Sequence, residues 1–230
     1  MQYVKIKDSI VEQIETGMLS PRQKLPAERK LAESFNTTRV TLREALSLLE
    51  ADGRIYREDR RGWFISPTPL RYDLTRPLQF SHMAVEQNRT AKTVLLLAKA
   101  TLANKLASQL LSLPPFSDVF HVDQVRYLED RPVAFVTHYI RPEQCQNLLE
   151  YDLTGSLTDV LREQFQIEND KTQYRISSSA LFGEIAQALR ATAGTPAMVV
   201  ERLNYNQHGE LVDCAIEYWR HDAICIESLT

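Results

Sequence analysis

The chain has 230 residues, of which 43% are hydrophobic and 25% charged, and its net charge is −3. This length fits one large domain or two modest ones, and the apolar fraction excludes a mainly disordered chain. The richest apolar stretch, 94–98, is far too short to span a membrane, and the first residues show no signal-peptide pattern. Three scattered cysteines argue against a disulfide scaffold or a zinc cluster. We therefore expect a reduced, cytoplasmic setting.

The first 66 residues predict three helices and a hairpin. Isoleucines spaced every four residues predict a first helix that Gly17 ends, and Pro26 precedes a short second one. A third helix, Arg39 to Ala51, carries an inward stripe at i, i+3, i+4 and i+7: Leu42, Ala45, Leu46 and Leu49. Two strand-like runs, Arg54 to Glu58 and Trp63 to Ser66, flank a basic tip at 59–62, which completes the pattern of a winged helix-turn-helix.

Charge alone leaves the role of this unit open. Residues 1–66 hold 12 Lys/Arg against 10 Asp/Glu, whereas the remaining residues hold 15 against 20. A basic N-terminal unit fits binding to phosphates, but arginines on helices are commonly solvated surface residues. A DNA-binding unit and a small helical bundle both remain compatible with the spacing.

The motifs of this unit resemble the GntR-family winged helix over some 60 residues. They are Leu-Pro-Ala-Glu-Arg-Lys-Leu-Ala at 25–32, Thr-Arg-Val-Thr-Leu-Arg-Glu-Ala-Leu at 38–46, Leu-Glu-Ala-Asp-Gly at 49–53 and Arg-Arg-Gly-Trp-Phe at 60–64. The resemblance implies that operator DNA is contacted by the second helix, the recognition helix and the wing tip, here at Arg29, Thr38, Arg39, Thr41, Arg43, Arg61 and Gly62.

The rest of the chain predicts a connector and a second domain. Residues 67–78 contain Pro-Thr-Pro and Thr-Arg-Pro segments and are interpreted as a linker between domains at 1–66 and 79–230. Beyond it, strand-like runs alternate with two helix-like segments, and paired runs around short turns predict hairpins. We therefore predict an α+β fold with an antiparallel sheet.

No catalytic motif is found in this second domain. Its histidines lack metal-ligand spacing, and no Gly-x-Ser-x-Gly elbow, P-loop or Gly-x-Gly-x-x-Gly occurs. We expect no enzyme activity, no metal and no cofactor.

The order of domains resembles the HutC branch of the GntR family, whose C-terminal UTRA domain has a chorismate lyase-like fold and binds small effectors. Val-Arg-Tyr at 125–127, Tyr-Asp-Leu-Thr-Gly-Ser-Leu at 151–157 and Tyr-Trp-Arg-His-Asp at 218–222 carry this resemblance. Segments 35–39, 59–64, 203–209 and 216–222 further resemble regulators of 2-aminoethylphosphonate utilisation.

The UTRA resemblance implies an effector site. In sugar-phosphate-binding members a Phe-Ser step and an Arg-x-Arg pair hold the anion, and a carboxylate follows ten residues after the second arginine. Here Gln124 replaces the first arginine and Val136 the carboxylate, which argues against a phosphorylated sugar. A phosphonate with an ammonium fits better, with candidate ligands Phe80, Ser81, Arg126, Arg175, Ser177, Asp213 and Trp219.

The resulting hypothesis is a homodimeric transcriptional regulator that binds double-stranded operator DNA and senses a small anionic effector, a phosphonate or phosphate compound. Two alternatives stay open: a second domain that only dimerises, and a chorismate lyase-like enzyme tethered to DNA.

Overall fold

The computed structural model describes residues 1–76 and 79–228. Its N-terminal part, which we call the head (1–66), has three helices followed by a two-stranded antiparallel hairpin, as predicted. The elements are α1 (Gln2–Glu15), α2 (Glu28–Ser34), α3 (Arg39–Ala51), β1 (Ile55–Glu58) and β2 (Gly62–Ile65).

Helix α3 forms where its sequence predicts. The stripe of Leu42, Ala45, Leu46 and Leu49 is completely buried against α1, α2 and the hairpin. Thr38 caps the helix, since its hydroxyl accepts a hydrogen bond from the Thr41 amide at 3.2 Å. The helix ends at a turn in which Gly53 has φ +67°, a conformation that glycine adopts without strain.

The C-terminal part, which we call the body (70–76 and 79–228), is built on a six-stranded antiparallel sheet in the order β4-β5-β6-β9-β8-β7. Its strands are β4 (Ala91–Leu102), β5 (Asp118–Leu128), β6 (Arg131–Ile140), β7 (Asn169–Ala180), β8 (Pro196–Asn206) and β9 (Leu211–Arg220). The helices are α4 (Phe80–Glu86), α5 (Lys105–Leu110), α6 (Leu157–Phe165) and α7 (Gly183–Ala188). The α+β prediction is confirmed.

The two faces of the sheet carry different helices because successive residues point to opposite sides. Helices α4 and α6 pack on the face that presents Val122, Val136 and Ala215. Helices α5 and α7 pack on the other face, which presents Val125 and Cys214. The candidate effector cavity lies on the first face, between α4 and the beginning of α6.

The interpretation of 67–78 as a linker needs correction. Residues Leu70–Asp73 form a strand, β3, that pairs in parallel with β10 (Ile224–Glu227) near the end of the chain. Leu70 and Tyr72 are buried in the core of the body, so apolar burial overrides the extended, proline-rich character of the segment. Residues 77–78 and 229–230, which belong to the predicted linker and second domain, lie outside the described residues.

Among residues 1–76 and 79–228, no helix is both long enough and apolar enough to cross a membrane.

Candidate functional site

The head carries a basic cleft between α2, the beginning of α3 and the hairpin. The cleft has a volume of about 440 Å³, and six of its lining residues are cationic: Lys24, Arg29, Arg39, Arg57, Arg60 and Arg61. Gly62, with φ +98°, is the first residue of strand β2 and also lines the cleft. Four of the residues predicted to contact DNA, Arg29, Arg39, Arg61 and Gly62, therefore share one surface.

The other three predicted DNA contacts, on α3 and at its N-cap, engage neighbouring side chains. The hydroxyls of Thr38 and Thr41 are 3.0 Å apart. Arg43 donates to the Glu28 carboxylate at 2.8 Å, and Trp63 donates to the same carboxylate at 3.2 Å. Burial raises the pKa of Glu28, but these two hydrogen bonds and the charge of Arg43 outweigh it, so the pKa is lowered and Glu28 stays ionised.

The body contains a cavity of about 170 Å³ on the face covered by α4 and α6. Three of the predicted ligands, Phe80, Ser81 and Arg126, line it. Lys92 and Arg202 add two more cations, and residues 154–158 bring the N-terminus of α6 to its wall. Backbone amides and the helix dipole at that end favour an anion.

A buried carboxylate organises the arginines of this cavity. Glu217 is fully buried, and its Oε1 lies 3.0 Å from Arg126 Nη1 and 2.8 Å from Arg202 Nη2. Trp219 donates to its Oε2 at 2.8 Å. Burial raises the pKa of Glu217, but the two arginines outweigh it, so the pKa is lowered. Glu217 is the cross-strand neighbour of Val136, the position where the resembled sugar-phosphate sites have their carboxylate.

His138 and Gln79 supply uncharged polar atoms to the same cavity. Burial, reinforced by Arg202 and Arg126, lowers the pKa of His138 to about 3, so its ring is neutral near pH 7. Within the described part of the chain, His138 Nδ1 and Gln79 Oε1 are buried without a hydrogen-bond partner. Both atoms are therefore available to a bound molecule.

Two predicted anion ligands, Arg175 and Ser177, lie elsewhere. Both are exposed on edge strand β7, and Arg175 faces Glu201 at 3.8 Å on the sheet face opposite the cavity. Strand alternation points them away from Arg126, so they do not share its cavity as predicted.

Asp213 and Trp219 are also placed differently from the prediction. Asp213 accepts a hydrogen bond from Asn204 at 2.8 Å beside a second, smaller cavity, four residues along β9 from Glu217. Burial raises its pKa to about 6. Trp219 is fully buried behind the cavity, with its ring centre 5.8 Å from the Arg126 guanidinium. Neither side chain lines the cavity that Arg126 lines, where the prediction placed them.

Sequence reasoning missed Arg202, His138 and Glu217. They lie on three neighbouring strands, β8, β6 and β9, and only the sheet order brings them together. One signal was present: Glu217 precedes Trp219 by two residues, and residues at this spacing share a strand face.

Head and body are joined by a cluster of buried polar contacts, which we call the clasp: Tyr56, Ser66, Arg131, Arg220 and Asp222. Arg131 donates to both Asp222 oxygens at 2.7 and 2.9 Å, and Ser66 donates to Asp222 at 3.0 Å. The Arg131 guanidinium lies 3.4 Å from the centre of the Tyr56 ring. Arg220 donates to the carbonyl oxygen of residue 57 at 2.7 Å.

Strand β9 therefore connects the two sites. Its residue Glu217 lies beneath the effector cavity, and Arg220, three residues later, reaches the head. Burial raises the pKa of Asp222, but Arg131 and Arg220 outweigh it, and the pKa is lowered.

Family models match both units: "Bacterial regulatory proteins, gntR family" over residues 2–65 and "UTRA domain" over residues 86–224. A relative from Escherichia coli K12, the "Uncharacterized HTH-type transcriptional regulator YihL", is 30% identical over 95% of this chain and 93% of its own. The chain belongs to the GntR family.

Two other proteins extend the comparison. The "HTH-type transcriptional repressor NagR" of Bacillus subtilis is 27% identical over 96% of this chain and 90% of its own. The crystal structure of PhnF from Mycobacterium smegmatis matches with a TM-score of 0.68 at 22% identity, covering 98% of both chains, and supports the fold. This GntR-family chain is a DNA-binding transcriptional regulator with a UTRA effector domain.

Proposed function

We propose that this regulator senses a small phosphonate, with 2-aminoethylphosphonate as the first candidate, and that occupation of the body cavity changes the affinity of the head for operator DNA. The observation that carries the proposal is the charge of the cavity. Three cations, Lys92, Arg126 and Arg202, line the cavity beside the N-terminus of α6, and only the two arginines face the buried carboxylate of Glu217. Arginine holds phosphonate oxygens through charge-assisted hydrogen bonds.

The size of the cavity supports a small ligand. Its volume of about 170 Å³ is below the roughly 300–1,000 Å³ of pockets that hold drug-sized molecules. The ammonium end of the candidate finds acceptors in Gln79 Oε1 and in the neutral ring of His138, rather than in Asp213. Glu217, which already faces two arginines, adds negative potential behind them.

The head is proposed to bind the operator through Arg29, Arg39, Arg61 and Gly62 of the basic cleft, together with Thr38, Thr41 and Arg43 of α3. A homodimer would present two such heads to a two-fold operator. Sedimentation equilibrium tests this assembly, which should have twice the 26.4 kDa mass of the chain. We place the protein in the cytoplasm, with the DNA that it regulates, and infer that it binds its effector without converting it.

The test is fluorescence anisotropy on the chain's own upstream DNA at fixed salt, with three ligands. 2-Aminoethylphosphonate carries both charges, ethylphosphonate lacks the amine and ethanolamine lacks the phosphonate. We expect a saturable change in DNA affinity with the first, a weaker response with the second and none with the third. Specific DNA binding that ignores all three compounds would refute the phosphonate proposal and favour a body that only dimerises.

A further inference from the structure

One apolar side chain stands out on the DNA-facing end of α3. Val40, the second residue of the helix, is 77% exposed. It projects from the same turn as Arg39, which lines the basic cleft. A valine side chain makes no hydrogen bonds with water, so its exposure does not stabilise the free protein. Its position next to an arginine of the cleft places it where a bound duplex would lie.

The neighbours of Val40 on α3 are already engaged within the head. Thr38 and Thr41 contact each other and cap the helix, and Arg43 is held by Glu28. Within residues 1–76 and 79–228, the structure gives Arg39 and Val40 no side-chain partner. The first turn of α3 thus offers one free cation and one free apolar group, about 100° apart around the helix axis.

The major groove presents one apolar group among its hydrogen-bonding atoms, the C5-methyl of thymine. Valine has no donor or acceptor, so against any other base edge it would desolvate polar atoms without replacing their hydrogen bonds. Arginine has the opposite preference and most often reads guanine O6 and N7.

We propose that Val40 reads a thymine methyl group in each operator half-site, beside a guanine read by Arg39. This inference rests on the proposed placement of α3 in the major groove. Val40 is then a specificity-determining residue, which contributes to operator choice through shape and apolar contact rather than through charge.

The experiment begins with selection of binding sites from random double-stranded DNA by the full-length protein. In the selected operator each thymine is then replaced singly by deoxyuridine, which removes only the methyl group. We expect one thymine per half-site at which this change weakens binding about fourfold, the worth of one buried methyl-sized group. In Val40→Ser the same change should have no effect, and the selected motif should lose its preference for thymine there.

Val85→Ser is the matched control, because Val85 is 69% exposed and lies on α4 of the body. It should keep the sensitivity of the wild type to deoxyuridine. The inference is overturned if the wild type binds every deoxyuridine operator within a factor of about 1.5, or if Val40→Ser keeps the sensitivity. Failure to enrich any sequence would instead refute the proposed operator contacts, including the contact between Val40 and thymine.

Discussion

Asp222→Asn tests the clasp, because it removes one negative charge while keeping the shape of the side chain. Asp222 is 3% exposed, and its charge is balanced by Arg131 and, at 3.8 Å, by Arg220. Removing one partner from a buried ion pair costs about 3–5 kcal/mol. The asparagine oxygen can still accept from Ser66 or Arg131, so we expect the lower end, about 3 kcal/mol. Because Arg131 and Asp222 both belong to the body, this loss falls mainly on the stability of the body, and it also loosens Arg131, which contacts Tyr56 of the head.

Two assays measure the consequence. Urea denaturation should give a free energy of unfolding lower by about 3 kcal/mol. DNA-binding anisotropy should show an effector response that is reduced or absent, while effector binding to the body is unchanged. Asp73→Asn is the control: Asp73 is partly exposed and, among residues 1–76 and 79–228, its carboxylate is hydrogen-bonded only to Thr75, so the unfolding free energy should change by less than about 0.5 kcal/mol. If Asp222→Asn unfolds like the wild type and keeps a full effector response, the clasp does not have the stabilising and coupling role that we assign to it.

Four further outcomes are expected. Because the pKa of His138 falls from about 6.5 in the unfolded chain to about 3, the unfolded state binds the extra proton between these values, and stability should drop by up to about 1.4 kcal/mol per pH unit on acidification. Asp213, whose pKa rises from 3.8 to about 6, acts in the opposite direction between these two pH values. The measurement is therefore the difference in slope between wild type and His138→Asn, and equal slopes would contradict a buried neutral ring. Arg126→Lys should weaken effector binding about tenfold or more by calorimetry, since lysine lacks the planar fork, whereas Arg175→Gln should stay within twofold. Arg43→Ala should lose specific DNA affinity by about 1–3 kcal/mol with effector affinity unchanged, and equal DNA affinity in the two proteins would exclude Arg43 from the interface.

The head could be predicted almost completely from its sequence because its determinants are local. The stripe of α3, the Thr38 cap and the turn at Gly53 each depend on residues a few positions apart. The wing tip follows from a short basic turn between two strands. Contacts between neighbours in sequence leave a periodicity that can be read without coordinates.

The effector cavity could be predicted only in part. Phe80, Ser81 and Arg126 were found through resemblance, and the structure brings them together. Glu217 and Arg202 were not predicted, because sheet order is a property of the whole fold and the sequence does not show that β9 lies between β6 and β8.

The strand at 70–73, β3, was also not predicted, because its pairing depends on a distant segment. Its partner, β10, is more than 150 residues away, and a parallel pair leaves no local turn signal.

The pairing of β3 with β10 has a consequence for protein synthesis. The head ends at residue 66, whereas Asp222 and β10 lie more than 150 residues further along the chain and leave the ribosome correspondingly later. At about 5–20 residues per second, roughly 10–30 s separate the two events. During this interval a nascent head can fold and bind operator DNA with neither its docking contacts nor a finished sensor. Each newly made molecule is therefore expected to be unregulated at first and to respond to effector only when β10 has paired with β3.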